Sequence, residues 1–155
     1  MKRTPLVRRS ALVRRTPLQG GQPPKRKTRI RASRRYTGPG PDVMSVIADR
    51  SRGLCEIGVV CHGRAPAVDP SHRLAKGMGG THDARSNTPA NNLHACRPCH
   101  QVVEGEPARA YANGWKIRRG VVDPTRVPVR HARYGWVLLA DDGTWTPAEP
   151  VRESS

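Results

Sequence analysis

"NNLHACRPCH", residues 91–100, packs two asparagines, two histidines and two cysteines into ten positions. Cys96 and Cys99 are separated only by Arg97 and Pro98. A Cys-x-x-Cys of this kind is either a redox pair or one half of a metal knuckle. A knuckle can be scaffold alone, or it can be a mount that carries Asn91 and His100 into an active site.

The remaining cysteines favour the knuckle. Cys55 and Cys61 form a looser Cys-x5-Cys, and 34 residues separate Cys61 from Cys96. Two hooks so spaced suit one tetrahedral zinc held by four thiolates. A redox pair needs a thioredoxin-like alternation of strand and helix, which this sequence lacks. Only 35% of the 155 residues are hydrophobic, 4% are aromatic and none is phenylalanine. Such a chain builds a thin core and needs a staple. No apolar run of signal-peptide length follows the basic N-terminus, and no stretch is long enough to span a membrane. The expectation is a cytoplasmic protein without membrane contact, where cysteines stay reduced and available to metal.

Charge divides the chain. Residues 1–41 carry thirteen Lys or Arg and no acid, while residues 42–155 carry fifteen basic and twelve acidic residues, about +3 of the total +16. The arm contains short repeats, "RTPL" at 3–6 and 15–18 and "LVRR" at 6–9 and 12–15. With so little to bury it is expected to be disordered. Its cations, among them Arg14, Arg15, Lys25, Arg26 and Lys27, are expected to bind DNA phosphates in any sequence, by counterion release. Tyr36 is the arm's one aromatic, so base stacking is not indicated.

Order is expected from "GPGPDVMSVIADRSRGLC" onward. Val43, Val46 and Ile47 share a helical face, Asp42 is a candidate N-cap and Gly53 a stop, which predicts a helix over 42–52. "HGRAPAVDPSHRLAKGMGG" reads as extended chain ending in a glycine-rich turn, and "THDARSNTPANN" as a polar loop. "HQVVEGEPARAYANG" reads as a helix interrupted near Gly105 and Pro107 and ended by Gly114. "YGWVLLADDGTWTP" reads as a hairpin turning at "DDG". Trp115, Trp136 and Trp145 are expected to supply most of its apolar contact. His62, His82, His94 and His131 are expected in loops or on the surface.

"SHRLAKGMGG", "NTPANN" and "CRPCH", in this order and spacing, resemble the HNH endonuclease family, in particular the small HNH proteins of bacteriophages infecting actinobacteria. The resemblance runs over roughly 42–113. "AYANGW", "DPTRVPV" and the basic arm with its "TPL" repeats resemble the same group. It implies an α+β fold with a ββα-metal (His-Me finger) core. It implies His72 as the general base that deprotonates the attacking water, a task its ordinary pKa near 6.5 suits. His100 is implied as a ligand of a catalytic Mg2+ or other divalent ion, and Asn91 as the residue that tethers the loop and orients the base, with adjacent Asn92 as the alternative. The residue before the base is usually a metal-ligating His or Asp, and here it is Ser71. Asp69, two residues earlier, is the substitute carboxylate if the strand bends at Pro70. Arg73 and Lys76, flanking the base, are candidate phosphate contacts.

The expectation is therefore a disordered arm (1–41), an HNH domain (42–113) and a small C-terminal β extension with a frayed tail (114–155). The resemblance implies a metal-dependent DNA endonuclease leaving 5′ phosphate and 3′ hydroxyl ends, with a phage packaging terminase as an associated partner. The competing expectation is a zinc-stapled nucleic-acid-binding module of the same fold that does not cut; Ser71 points that way.

Overall fold

The computed structural model describes residues 38–76, 83–118 and 123–150. The arm's Arg14, Arg15, Lys25, Arg26 and Lys27, the glycine-rich turn, His82 and the last five residues lie outside them. The described residues mix helices with two small antiparallel sheets, an α+β arrangement. No helix among them is long and apolar enough to cross a membrane.

Helix α1 spans Pro41–Ser51. Asp42 does not cap it. Gly40 is the N-cap, Pro41 takes the first helical turn, and no side chain caps the end. Proline's fixed φ suits that position and its missing N–H costs nothing there, so Asp42 moves into the first turn, where its charge faces the positive end of the helix dipole. The stop begins one residue before Gly53. Arg52 is already left-handed (φ 54°), and the Arg52 and Gly53 amides both donate to Ala48 or Asp49 carbonyls.

Strand β1 (Asp69–His72) pairs antiparallel with β2 (Asn92–Ala95), setting His72 opposite Asn92 and Asp69 opposite Ala95. Helix α2 (Arg97–Gly105) follows β2 after one residue, and α3 (Pro107–Ala112) follows α2 after Glu106, so the helix breaks where Gly105 and Pro107 predict. Gly114 ends α3 at φ 66°, and a Cβ there would meet the Pro128 carbonyl oxygen. The second sheet orders β3 (Val129–His131), β4 (Gly135–Leu139) and β5 (Trp145–Pro147). Its β4–β5 turn is the expected "DDG", with Gly143 at φ 87° and Asp142 Oδ1 accepting from the Thr144 amide. Strand β3 has no alternating apolar pattern to announce it.

The core is shared by both stretches. Leu93, Val103 and Ala110 pack with Val129, Val137, Leu139 and Trp115, and three of the cysteines belong to the same cluster. Trp115 is the only aromatic among its thirteen buried members, so dispersion alone leaves the core weak. Of the other two tryptophans, Trp145 stacks on Tyr134 with ring centroids 4.2 Å apart and stays 37% exposed.

Buried charge makes up part of the difference. Arg73, expected at the DNA surface, is fully buried. Its guanidinium donates to the carbonyls of Gly114, Ala90, Pro124, Val127 and Pro128. Those carbonyls belong to turns and short 3₁₀ segments that lack sheet partners, and one planar fork satisfies them all. It cannot reach a phosphate. His94 and His131, expected on the surface, are buried as well. His94 Nδ1 is hydrogen-bonded to Ser51 Oγ at 2.8 Å, and His131 stacks on Tyr134.

A second buried ionic group joins α1 to β2 and β3. Arg50 grips Glu56 through Nε at 2.7 Å and Nη2 at 2.8 Å, and also donates to the carbonyls of Pro89 and Asn92. Glu56 accepts from the His94 amide at 2.7 Å and faces His131 Nε2 at 3.5 Å. Burial pushes the Glu56 carboxyl up, but Arg50 and then His131 outweigh it and hold it at about 2. Its folded value lies below its unfolded value, so this stability is present above about pH 4.5 and is lost as pH falls toward 2. Urea unfolding of wild type should weaken steeply across that window. Glu56→Gln should lose about 3–5 kcal/mol at pH 7, because it strands the buried Arg50 charge, and should show a flatter pH dependence between pH 4.5 and 2. Equal acid sensitivity in the variant would place the titrating group elsewhere.

A four-cysteine centre and the histidines mounted on it

The two hooks converge. The sulfurs of Cys55, Cys61, Cys96 and Cys99 all lie within 4.8 Å of one another. All four are free thiols, with Cys99 Sγ 3.6 Å from Cys61 Sγ. That separation is far beyond a disulfide bond and near the roughly 3.8 Å edge of a tetrahedron whose metal–sulfur bonds are about 2.3 Å. The donor set is all sulfur, which selects zinc over hard cations.

Local chemistry explains how the sequence reaches this geometry. Cys96 is the N-cap of α2 and Cys99 sits in its first turn, so Pro98 starts a helix and aims both sulfurs one way. The first hook doubles back through left-handed residues: Gly58 (φ 67°), His62 (φ 53°) and Gly63 (φ 72°). A Cβ on Gly58 would lie 2.5 Å from the Ala132 Cβ, so only glycine fits where this loop presses against the residue after β3. The Val60 amide donates to Cys99 Sγ at 3.3 Å, tying hook to hook.

Without metal the thiols differ. Burial pushes Cys55 up, and burial first, with the neighbouring thiols, drives Cys96 up further. At Cys61 burial also pushes up, but amides of Ala65 and Gly63 outweigh it and pull the thiol down to about 7. A bound dication lets all four ionise together. Four thiolates around one zinc would leave no open position, so a zinc held here would be structural rather than catalytic.

The expected catalytic residues come from the end of β1 (His72), the turn before β2 (Asn91) and the first turn of α2 (His100). Asn91 locks the loop after β1: its Oδ1 accepts from the Leu74 amide at 2.7 Å and its Nδ2 donates to the Ser86 carbonyl at 3.0 Å. Asn92 helps from the other side, donating to the carbonyls of Ser86 and Thr88. His72 Nε2 faces Asn87 Oδ1 at 3.4 Å. Burial, and then the charge of Lys76, hold His72 down to about 4, with Lys116 and His100 adding to the effect. The His72 imidazole is therefore neutral at pH 7.

His100, on the first turn of α2, points Nδ1 at Asp69 Oδ2 (3.6 Å) and Nε2 at Glu104 Oε1 (3.6 Å). Asp69 Oδ2 is buried without a well-formed hydrogen bond, although Arg97 Nε lies 3.1 Å away. An under-satisfied buried carboxylate oxygen beside an imidazole suits a cation. Asp69 and Glu104 approach opposite nitrogens of one ring, however, so the three do not form a single cage. Among the described residues the four cysteines are the one group arranged as a metal cluster. Ser71 is fully buried, its hydroxyl has no hydrogen-bond partner, and it faces Leu93 across the hairpin. Lys76 is half-buried beside His72.

Two residues at this site are missing from the sequence reading. Glu104 stands four residues after His100, a helical spacing that was there to be seen. Lys116 comes from the segment after Gly114. Its Nζ donates to the His72 carbonyl at 3.1 Å and to Glu104 at 2.6 Å, a contact that no spacing rule announces.

No protein-family model, curated protein or solved structure matches this chain.

Metal removal should unfold rather than merely inactivate. Structural zinc contributes about 10–16 kcal/mol at comparable sites, as much as the roughly 5–15 kcal/mol that separates a whole domain from its unfolded state. Purified protein should contain one zinc per chain. A strong chelator, or Cys99→Ser, should abolish the near-ultraviolet circular dichroism of the tryptophans. A cooperative, unshifted melt after complete zinc removal would contradict the structural role.

Proposed function

We propose that the chain is a metal-dependent DNA endonuclease of the HNH kind. One observation supports this most directly. The order β1–β2–α2 brings His72, a neutral imidazole, into the neighbourhood of the Asp69–His100 pair, while Asn91 clamps the connecting loop. The stretches that carry the family resemblance, 71–80, 87–92 and 96–100, overlap the end of β1, the turn into β2 and the start of α2. Within this reading the hairpin, the helix and the sites at their junction form a ββα-metal core.

The chemistry follows from the side chains. Asn87 Oδ1 can only accept, so a His72 proton on Nε2 leaves Nδ1 as the basic nitrogen. Nδ1 takes a proton from the attacking water, and burial with the charges of Lys76, Lys116 and His100 keeps that nitrogen unprotonated beforehand. Asp69 and His100 would hold a divalent ion, and a bound ion supplies charge stabilisation to a phosphoryl oxygen and to the departing 3′ oxygen. Lys116 fixes the end of β1 to α2 through His72 and Glu104 and keeps the base in register with His100. Asn91 acts through the loop and touches no substrate.

A second reading, a DNA-binding module that does not cut, draws on Ser71. Its hydroxyl is buried where the family carries a metal ligand, and Arg97 already partners Asp69. Incubating supercoiled plasmid with wild type and His72→Ala, each with Mg2+ or Mn2+, separates the two. The endonuclease reading predicts nicking or linearisation by wild type and a loss of about 10²–10⁴-fold in the variant, with zinc content and DNA affinity unchanged. No cleavage by wild type with any divalent ion would leave the binding module.

The base also sets the pH profile. Activity requires neutral His72 and rises as pH climbs through its pKa. With saturating divalent ion, the acid limb of kcat/KM should have its midpoint near 4 rather than near the ordinary 6.5. A limb near 6.5 that persists in wild type would assign the proton transfer to a different, more exposed group.

A further inference from the structure

A concavity of about 330 Å³ opens between the first cysteine hook, α3 and β3. It shares no lining residue with the His72–Asp69–His100 neighbourhood. Arg109 comes from α3, Arg130 from β3 and His62 from the hook, while Ile57, Trp115 and His131 lie deeper. No carboxylate among the described residues lines it. Its volume falls at the lower end of small-ligand sites.

Among the described residues the two arginines make only exposed or long side-chain contacts. Arg109 makes one exposed contact with Glu106 at 3.1 Å, both side chains about half exposed (51%). Among the described residues Arg130 has only a long contact with Asn113 Oδ1, at 3.4 Å. Exposed pairs of this kind are weak and readily exchanged. By contrast the deep histidine is occupied: His131 Nδ1 accepts from the amides of Arg133 and Tyr134, and Nε2 faces Glu56. The indole N–H of Trp115 is likewise taken by the Arg130 carbonyl at 2.8 Å. At the floor, among the described residues, only His131 Nε2, 3.5 Å from Glu56, lacks a hydrogen bond, and the free hydrogen-bonding capacity at the mouth is cationic.

We propose that this concavity binds a phosphate group, held between the guanidinium forks of Arg109 and Arg130 with His62 at the rim. Both arginines line the cavity, and planar guanidinium forks match the oxygens of a phosphate monoester or diester better than they match a neutral or apolar ligand. The cysteine hook forms one wall. Gly58 and Gly63 press against Ala132, so the metal staple also fixes the width of this site. The phosphate is either a backbone phosphate of DNA or a free phosphate, and both share this chemistry. The proposal concerns binding and stands or falls independently of cleavage.

The test uses the full zinc-loaded chain in buffer without added divalent ion. Binding to a short duplex is measured across a salt series for wild type, Arg109→Gln/Arg130→Gln and, as a matched control, Arg52→Gln/Arg126→Gln, whose side chains are exposed and line no part of the cavity. A seated backbone phosphate predicts a slope of log K against log salt that is shallower by about 0.9 in the cavity variant and unchanged in the control. Inorganic phosphate, followed by 31P line broadening, reports the free-anion source: broadening by wild type that disappears in the cavity variant, with an unchanged DNA slope, assigns the site to free phosphate. An unchanged DNA slope together with equal phosphate broadening in wild type and variant overturns the proposal. So does an equal loss of slope in both double variants, which would reduce the effect to general surface charge. Cleavage plays no part in any of these outcomes, so a failure here leaves the nuclease reading untouched, and the reverse holds.

Discussion

Four sulfurs within 4.8 Å of one another tie the chain together at the point where its sequence offers least else to hold it. Cys55 and Cys61 belong to a loop full of left-handed residues, and Cys96 and Cys99 to the start of α2. The loop has no strand or helix of its own. Arg50 on Glu56, the Val60 amide on Cys99 Sγ and the Ala132 amide on the Glu56 carbonyl hold it where it packs on Ala132 beyond β3, and a metal shared by the four sulfurs would lock that position. The hairpin β1–β2 enters α2 directly through Cys96, so the same centre sets the angle between hairpin and helix. That angle determines how far Asp69 lies from His100.

A second constraint works through buried charge. A core with one aromatic residue cannot order a chain this rich in glycine, proline and turns by apolar contact alone. Arg73 collects five carbonyls from segments before and after Gly114, and Arg50 with Glu56 fixes α1 to the residues flanking β2. Burial and then the Arg50 charge pull the Arg73 guanidinium down to about 9, still well above neutrality. Removing either partner of such a group costs more than the group contributes when intact, because the remaining charge is left buried. These contacts therefore specify the arrangement more than they stabilise it.

Local features were legible where local chemistry decides them. The pairing of two cysteine hooks, the helix break at Gly105–Pro107, the end at Gly114 and the "DDG" turn all depend on spacing or on φ, and sequence carries both. What sequence concealed depends on distant partners. Arg73 beside a candidate base looks like a phosphate ligand until the carbonyls of Pro124, Val127 and Pro128, more than fifty residues away, are seen to surround it. His94 and His131 carry no sign of burial because Ser51 and Glu56, which receive them, come from α1 and the cysteine loop. Asp42 shows a smaller effect: a proline one residue earlier captured the start of the helix. At the candidate site, Asn91 and Asn92 both bond the loop between β1 and β2, whereas Lys116 entered from a segment whose sequence says nothing about His72.

The nuclease reading inherits its geometry from the metal staple, and the phosphate cavity takes one of its walls from it. The most direct test of this dependence is the zinc K-edge X-ray absorption spectrum of the purified full-length chain. Four sulfur scatterers at about 2.3 Å, one zinc per chain and no nitrogen or oxygen in the first coordination sphere are the predicted result. A first coordination sphere containing imidazole or water, or a protein that folds without zinc, would contradict it.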